Sequence, residues 1–199
     1  MIAVCGDSFC VPDPEYGTMW VDLLGNHHAV NNYSECTATN LLIARQVDQA
    51  IGDGAEFVIV HFTSCTRGEK PHAGRYVPFS YHTASEITTP FDSNTLRILK
   101  EYYTEFFDLD LAIYQNAITI EHTLNRLVQS GIPFRFDQGG FEHASYGGTG
   151  QYFAQYNQHR SEYNLWDYTH VKHFRPYYHI TDSQIHKQVA GYYSQEINK

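Results

Sequence analysis

Short apolar runs alternate along this chain with stretches of helical periodicity. Ile2-Ala3-Val4-Cys5 is a continuous apolar run closed by Gly6, the pattern of a buried strand. Met19 to Leu24 fits a short helix with Thr18 as its N-cap, and His28 to Tyr33 reads as a second strand. Leu42, Ile43, Val47, Ala50 and Ile51 recur at helical spacing behind Thr39 or Asn40, and Gly52-Asp53-Gly54 ends that helix. Phe57 to Phe62 is the clearest strand, continuous and β-branched as central parallel strands are. Residues 66 to 92 lack periodicity and read as a long insertion loop. Leu96, Leu99, Tyr103 and Phe106 or Phe107 predict a helix after it. Another helix runs from about Leu111 to Ser130 and stops at Gly131. Ile132 to Phe136 follows as a strand, and Tyr168 to Lys172 as a further short one. Thr181 and Gln184 form a capping box for a C-terminal helix striped by Ile185, Val189, Tyr192 or Tyr193, and Ile197.

Strand-helix-strand order of this kind implies parallel strands joined by right-handed crossovers, hence an α/β fold with a three-layer α/β/α sandwich and a mainly parallel, flavodoxin-like sheet. With 199 residues the chain is long enough for one such domain and short for two. Ligand sites in such sheets lie at the carboxyl ends of the strands. That rule gathers Ser8, the Ser34–Thr37 turn and the Thr63–Arg67 turn before any chemistry is considered.

Composition narrows the partners. The net charge of −9 repels phosphate backbones and no basic patch offsets it, so nucleic-acid binding is disfavoured. No run approaches the ~18 apolar residues of a membrane span, and the N-terminus has no basic region, apolar core or cleavage site of a secretion signal. A soluble, cytoplasmic protein is expected. The four cysteines (Cys5, Cys10, Cys36 and Cys65) match no zinc spacing or disulfide framework, so buried thiols, no metal and no cofactor are expected.

Gly6-Asp7-Ser8-Phe9, directly after a chain-starting strand, resembles the first motif of the SGNH/GDSL hydrolases. The resemblance continues in Trp20 to Leu24, in a strand ending at Asn32 followed by a small-residue turn, and in His179-Ile180-Thr181 ahead of a helix carrying His186 to Ala190. It spans nearly the whole chain, with 66–110 and 137–178 as divergent insertions. Thr63-Ser64-Cys65-Thr66-Arg67 after the third strand is similar to SGNH-like proteins of large tailed phages, which implies a virion-associated location as the alternative to a cytoplasmic one. The resemblance implies an esterase with Ser8 as nucleophile, a histidine base oriented by a carboxylate, and an oxyanion hole. It implies His179 as the base, with Asp182 or Asp167 as the orienting group. The competing alignment uses an Asp182–His186 pair, for which an ordinary i, i+4 contact is the plain explanation.

The family's oxyanion donors are the serine N–H, the N–H of a glycine that falls here at Cys36 or Thr37, and an asparagine side chain that is replaced here within Thr63 to Thr66. Ser64 or Thr63 could offer a hydroxyl in its place, and Arg67 a charge. The family's aspartate, three residues before the histidine, is Pro176.

Two functions follow. One is hydrolysis of small acyl esters such as acetylated carbohydrate. The other is an eroded scaffold that binds glycan or assembles into a larger particle. The aromatic segment with Tyr146, Tyr152, Phe153, Tyr156, Tyr163, Trp166 and Tyr168 suits sugar stacking, packing against the sheet edge, or homo-oligomer formation.

Overall fold

The two strongest apolar runs lie side by side. Ile2–Cys5 (β1) and Phe57–His61 (β3) pair in parallel, with Ile2 opposite Phe57 and Cys5 opposite Val60. Val30–Asn32 (β2) flanks β1, and Phe134–Asp137 (β6) flanks β3, also in parallel. The sheet order is β2-β1-β3-β6. The computed structural model describes residues 1–12, 17–80, 91–142, 149–168, 180 and 182–199.

Alternation along the strands builds two cores. Ala3, Cys5, Val58, Val60, Phe134 and Phe136 pack against Asn40–Gly52 (α2) and Leu109–Ser130 (α4) through Ile43, Val47, Ile120, Leu124 and Leu127. Ile2, Val4, Phe57 and Ile59 point the other way, against Trp20–Gly25 (α1) and Ser183–Ile197 (α5), where Trp20, Leu24, Val189 and Tyr193 are buried. Helices on both faces of a parallel sheet give the expected three-layer α/β/α arrangement. Among the described residues, no helix is long and apolar enough to cross a membrane.

Caps set the helix starts. Thr39 accepts from Leu42 N–H at the head of α2, and Gly131 closes α4 in the left-handed conformation. The cap of α1 is Met19 rather than Thr18, its N–H taken by Asp22 Oδ2. The cap of α5 is Asp182, whose Oδ1 accepts from Gln184 N–H; the expected cap, Thr181, lies outside the described residues.

The expected loop after β3 contains a hairpin, Gly68–His72 (β4) and Arg75–Phe79 (β5), turned through Ala73 and Gly74, both with positive φ. It packs on Ser93–Glu101 (α3) through Val77, Phe79, Phe91 and Leu99. Glu69 anchors it to α2 by accepting from Thr39 Oγ1 and from Arg45 Nη2. The expected strand at 168–172 lies outside the described residues, apart from Tyr168 in a 3-10 turn, Leu165–Tyr168.

The aromatic segment is largely packing where it is described. Phe153 and Tyr156 are buried in the α4-side core, and Tyr163, Trp166 and Tyr168 pack on the other. Tyr146 lies outside the described residues. The free edge of β6 is covered by Arg160–Ser161, Ser161 N–H donating to Phe136 O at 2.7 Å.

Gly139 follows β6 with φ +47, and a Cβ there would stand 1.8 Å from Phe62 O. Gly131 has φ +70 and open space around it. Gly139→Ala is therefore expected to lose about 2–4 kcal/mol through backbone displacement. Gly131→Ala should lose about 1 kcal/mol, from left-handed strain alone. Urea-unfolding midpoints of the two variants, compared with the wild type, check the order.

Candidate active site

Ser8 opens a 3-10 turn, Ser8–Cys10, just beyond the carboxyl end of β1. Strands β2 and β3 flank β1 on opposite sides, so the turn sits in the crevice where such sheets hold ligands. Neighbouring elements fix its backbone. Gly6 N–H donates to Gln46 Oε1, Trp20 Nε1–H to Phe9 O, and Asn32 Nδ2–H to Cys10 O at 2.7 Å. Asp7 caps the turn, Oδ1 accepting from Phe9 N–H at 3.0 Å. Ser8 is partly buried, and among the described residues neither its N–H nor its Oγ has a hydrogen-bond partner.

Beneath the turn lies a buried cluster of charges that the sequence reading did not single out. His61 ends β3 and Asp137 ends β6, and the strand register sets them opposite each other. His61 Nδ1 is 2.6 Å from Asp137 Oδ1, and His61 Nε2 is 3.5 Å from Asp7 Oδ1. Asp7 Oδ2 accepts from Thr63 Oγ1 at 2.7 Å and from Arg67 Nη1 at 2.9 Å. The 2.6 Å contact is an ion pair without a well-aligned N–H···O bond.

Both carboxylates and the imidazole are almost wholly removed from water. Burial alone would raise the Asp7 carboxyl, but Arg67, His61, the Thr63 hydroxyl and Phe9 N–H hold it below the usual range. Burial alone would lower His61, but Asp137 and then Asp7 raise it above its ordinary value. Asp137 is pushed up by burial more than His61 and Gly139 N–H pull it down. His61–Asp137 has the form of half a catalytic triad. The ring is buried, however, and the nitrogen a triad would present to Ser8 faces Asp7 instead.

The other expected site residues fall in distinct places. Thr37 has φ +64, the left-handed conformation that a β-branched residue rarely takes. Its N–H has no acceptor among the described residues, and Cys36 beside it is exposed. Thr63 is held at both backbone groups by Asn40, which also donates to Asn116 Oδ1. Its hydroxyl and the Arg67 guanidinium are committed to Asp7, and Arg67 also reaches Ala38 O. Ser64 Oγ lies 2.8 Å from Thr66 Oγ1.

His179 lies outside the described residues. His186, the alternative base, is engaged at both nitrogens. Nδ1 accepts from Trp20 N–H at 3.3 Å, so Nε2 carries the proton that meets Ile180 O at 3.0 Å. A general base needs a nitrogen facing the serine, and this buried ring instead ties the starts of α1 and α5 together. Asp182 caps α5, and Asp167 sits in the 165–168 turn.

Two predictions follow from this geometry. Thr37→Gly should leave stability unchanged or raise it by up to about 1 kcal/mol, because relief of left-handed strain offsets the added chain entropy. A denaturation midpoint lowered by that change would contradict the strain. The second concerns pH. The stabilisation from His61 is complete below its ordinary value and is lost as pH rises through its raised one. That from Asp7 is present above its ordinary value and is lost as pH falls through its lowered one. Asp137 acts against Asp7 and makes the acid limb shallower. The unfolding midpoint should therefore fall on both sides of a plateau, and Asp137→Asn should move the alkaline limb to lower pH.

No protein-family model and no curated protein sequence matches this chain. Among solved structures, the psychrotrophic esterase EstA from Pseudoalteromonas sp., in a form inhibited by monoethylphosphonate, superposes with a TM-score of 0.56. The match covers 99% of this chain and 96% of that one at 10% identity. The parallel four-stranded sheet with helices on both faces gives the chain the same three-layer α/β/α fold as that esterase structure.

Proposed function

We propose that the protein is a serine ester hydrolase acting on small acyl esters, acetylated carbohydrate among them. One observation carries this reading. The N–H groups of Ser8 and Thr37 have no acceptor among the described residues, whereas the surrounding turn backbone is tied down by Gln46, Trp20, Asn32 and Asp7. Unpaired N–H donors held by a rigid frame are what a developing oxyanion requires, and each such donor is worth roughly 10²–10³ in rate.

In this mechanism Ser8 Oγ attacks the acyl carbonyl carbon while its proton passes to His179. The tetrahedral oxyanion rests on the N–H groups of Ser8 and Thr37. Collapse expels the alcohol, which takes the proton back from His179. Water, activated by the same ring, then releases the acid and restores the serine. Asp182, at the head of α5, is the candidate to orient His179.

A second reading has its own support. The expected substitutes for the family's asparagine, the Thr63 hydroxyl and Arg67, are committed to Asp7 and stabilise the scaffold instead. On that reading the fold is retained for glycan binding or assembly and Ser8 is inert.

Hydrolysis of p-nitrophenyl acetate separates the two. The esterase reading requires a rate that falls about 10³-fold or more in both Ser8→Ala and His179→Ala. A fluorophosphonate should label Ser8 in the wild type and nothing in Ser8→Ala. Hydrolysis unaffected by Ser8→Ala, or a wild type that neither hydrolyses nor labels, rejects the reading in favour of the binding module.

A further inference from the structure

The buried imidazole under the Ser8 turn takes no direct part in the mechanism above, and several described residues surround it. Asp7 faces it from the end of β1 and Asp137 from the end of β6, while Arg67 lies on the far side of Asp7. The Phe9 ring stands edge-on to it, centroids 5.1 Å apart, and Gly6 and Gly139 leave no room for a Cβ against it. The Cys10 thiol and the Tyr193 hydroxyl also border the carboxylates, and burial pushes both far above their ordinary values, so they stay neutral.

Two carboxylates and one guanidinium leave the pocket one positive charge short. Among the described residues, His61 lies between the two carboxylates and is the group placed to supply it. The same Asp7 carboxylate that pairs with His61 shapes the serine turn by accepting from Phe9 N–H.

We propose that His61 is a positioning residue for Ser8: as a buried imidazolium between Asp7 and Asp137, it fixes the Asp7 carboxylate that holds the serine turn and locks that turn to the ends of β3 and β6. The proposal deepens the esterase reading and rests on it for the word positioning. The charge arrangement stands by itself. Loss of the His61 proton leaves Asp7 and Asp137 unbalanced across a neutral ring, which loosens the cap on Phe9 N–H and lets Ser8 shift. A displacement on the scale of 1 Å at a reacting group lowers rates by roughly 10²-fold.

The test is an NMR pH titration of the wild-type protein, which needs no variant to fold. The His61 ring nitrogens should report imidazolium through neutrality. The amide signals of Ser8 and Phe9 should move on the alkaline side with the same midpoint as the ring. Asp137→Asn should shift both midpoints down together, and in His61→Gln the alkaline movement of the Ser8 amide should vanish. Labelling of Ser8 by a fluorophosphonate, followed over the same range, should slow about 10- to 100-fold through that midpoint, appearing in kcat rather than KM when an ester is used. A ring that is neutral throughout, or Ser8 and Phe9 amides that ignore its titration, overturns the proposal. Labelling whose rate does not follow the midpoint also overturns it. If the amides titrate with the ring but Ser8 labels at no pH, the esterase reading fails, and His61 remains the group that holds the turn.

Discussion

A carboxylate from the β1 turn, an imidazole from the end of β3 and a carboxylate from the end of β6 meet under the site with the Arg67 guanidinium, all nearly sealed from water. Single charges in such a place are expensive, and removing one partner of a buried pair typically costs about 3–5 kcal/mol. The arrangement holds because the charges balance and because the backbone around them leaves no slack. Gly6 and Gly139 pass so close to β3 that a methyl group would collide at either position. Strand register, turn geometry and charge balance are thus one constraint, and the placement of Ser8 depends on it.

That constraint explains the combination of a serine turn that is heavily anchored and a set of altered partners around it. Thr37 keeps a left-handed backbone in spite of its branched side chain, which indicates that the surrounding turn dictates the conformation. Asn40 clamps Thr63 at both N–H and C=O, which fixes the backbone just beyond the end of β3. The Thr63 hydroxyl turns toward the charge cluster, whereas Ser64 and Thr66 bond to each other. The Ser8 and Thr37 N–H groups have no acceptor among the described residues, while the Thr63 hydroxyl and the Arg67 guanidinium bond to Asp7 beneath the turn.

Much of the fold was legible because it depends on local pattern. The runs at 2–5 and 57–62 read as buried strands, and the stretch at 111–130 as a long helix ended by Gly131. Ser8 was visible through its Gly-Asp-Ser context. His61 was hidden by its neighbours: a histidine inside Phe-Val-Ile-Val-His-Phe reads as core filler, and only the strand-end rule, applied one residue further along β3 and β6, brings it to Asp137. The β4–β5 hairpin was missed because a two-stranded ribbon tolerates Pro71 and Pro78 and needs little alternation. His186 stood in one dimension as the alternative base to His179, and its two backbone contacts, 166 and 6 residues away in sequence, are invisible without the fold.

The cover over β6 has a consequence for synthesis. Strand β6 ends at Asp137, but the Ser161 N–H that caps its edge, and the α5 helix that buries Arg135 through Glu196, come later in the chain. A nascent polypeptide that has emerged only through β6 presents a Phe-Arg-Phe edge with unpaired backbone groups and one bare face. Such an edge is a template for pairing with a neighbouring chain. Ser161 and helix α5, both later in the chain than β6, therefore guard its edge and one of its faces from within the molecule.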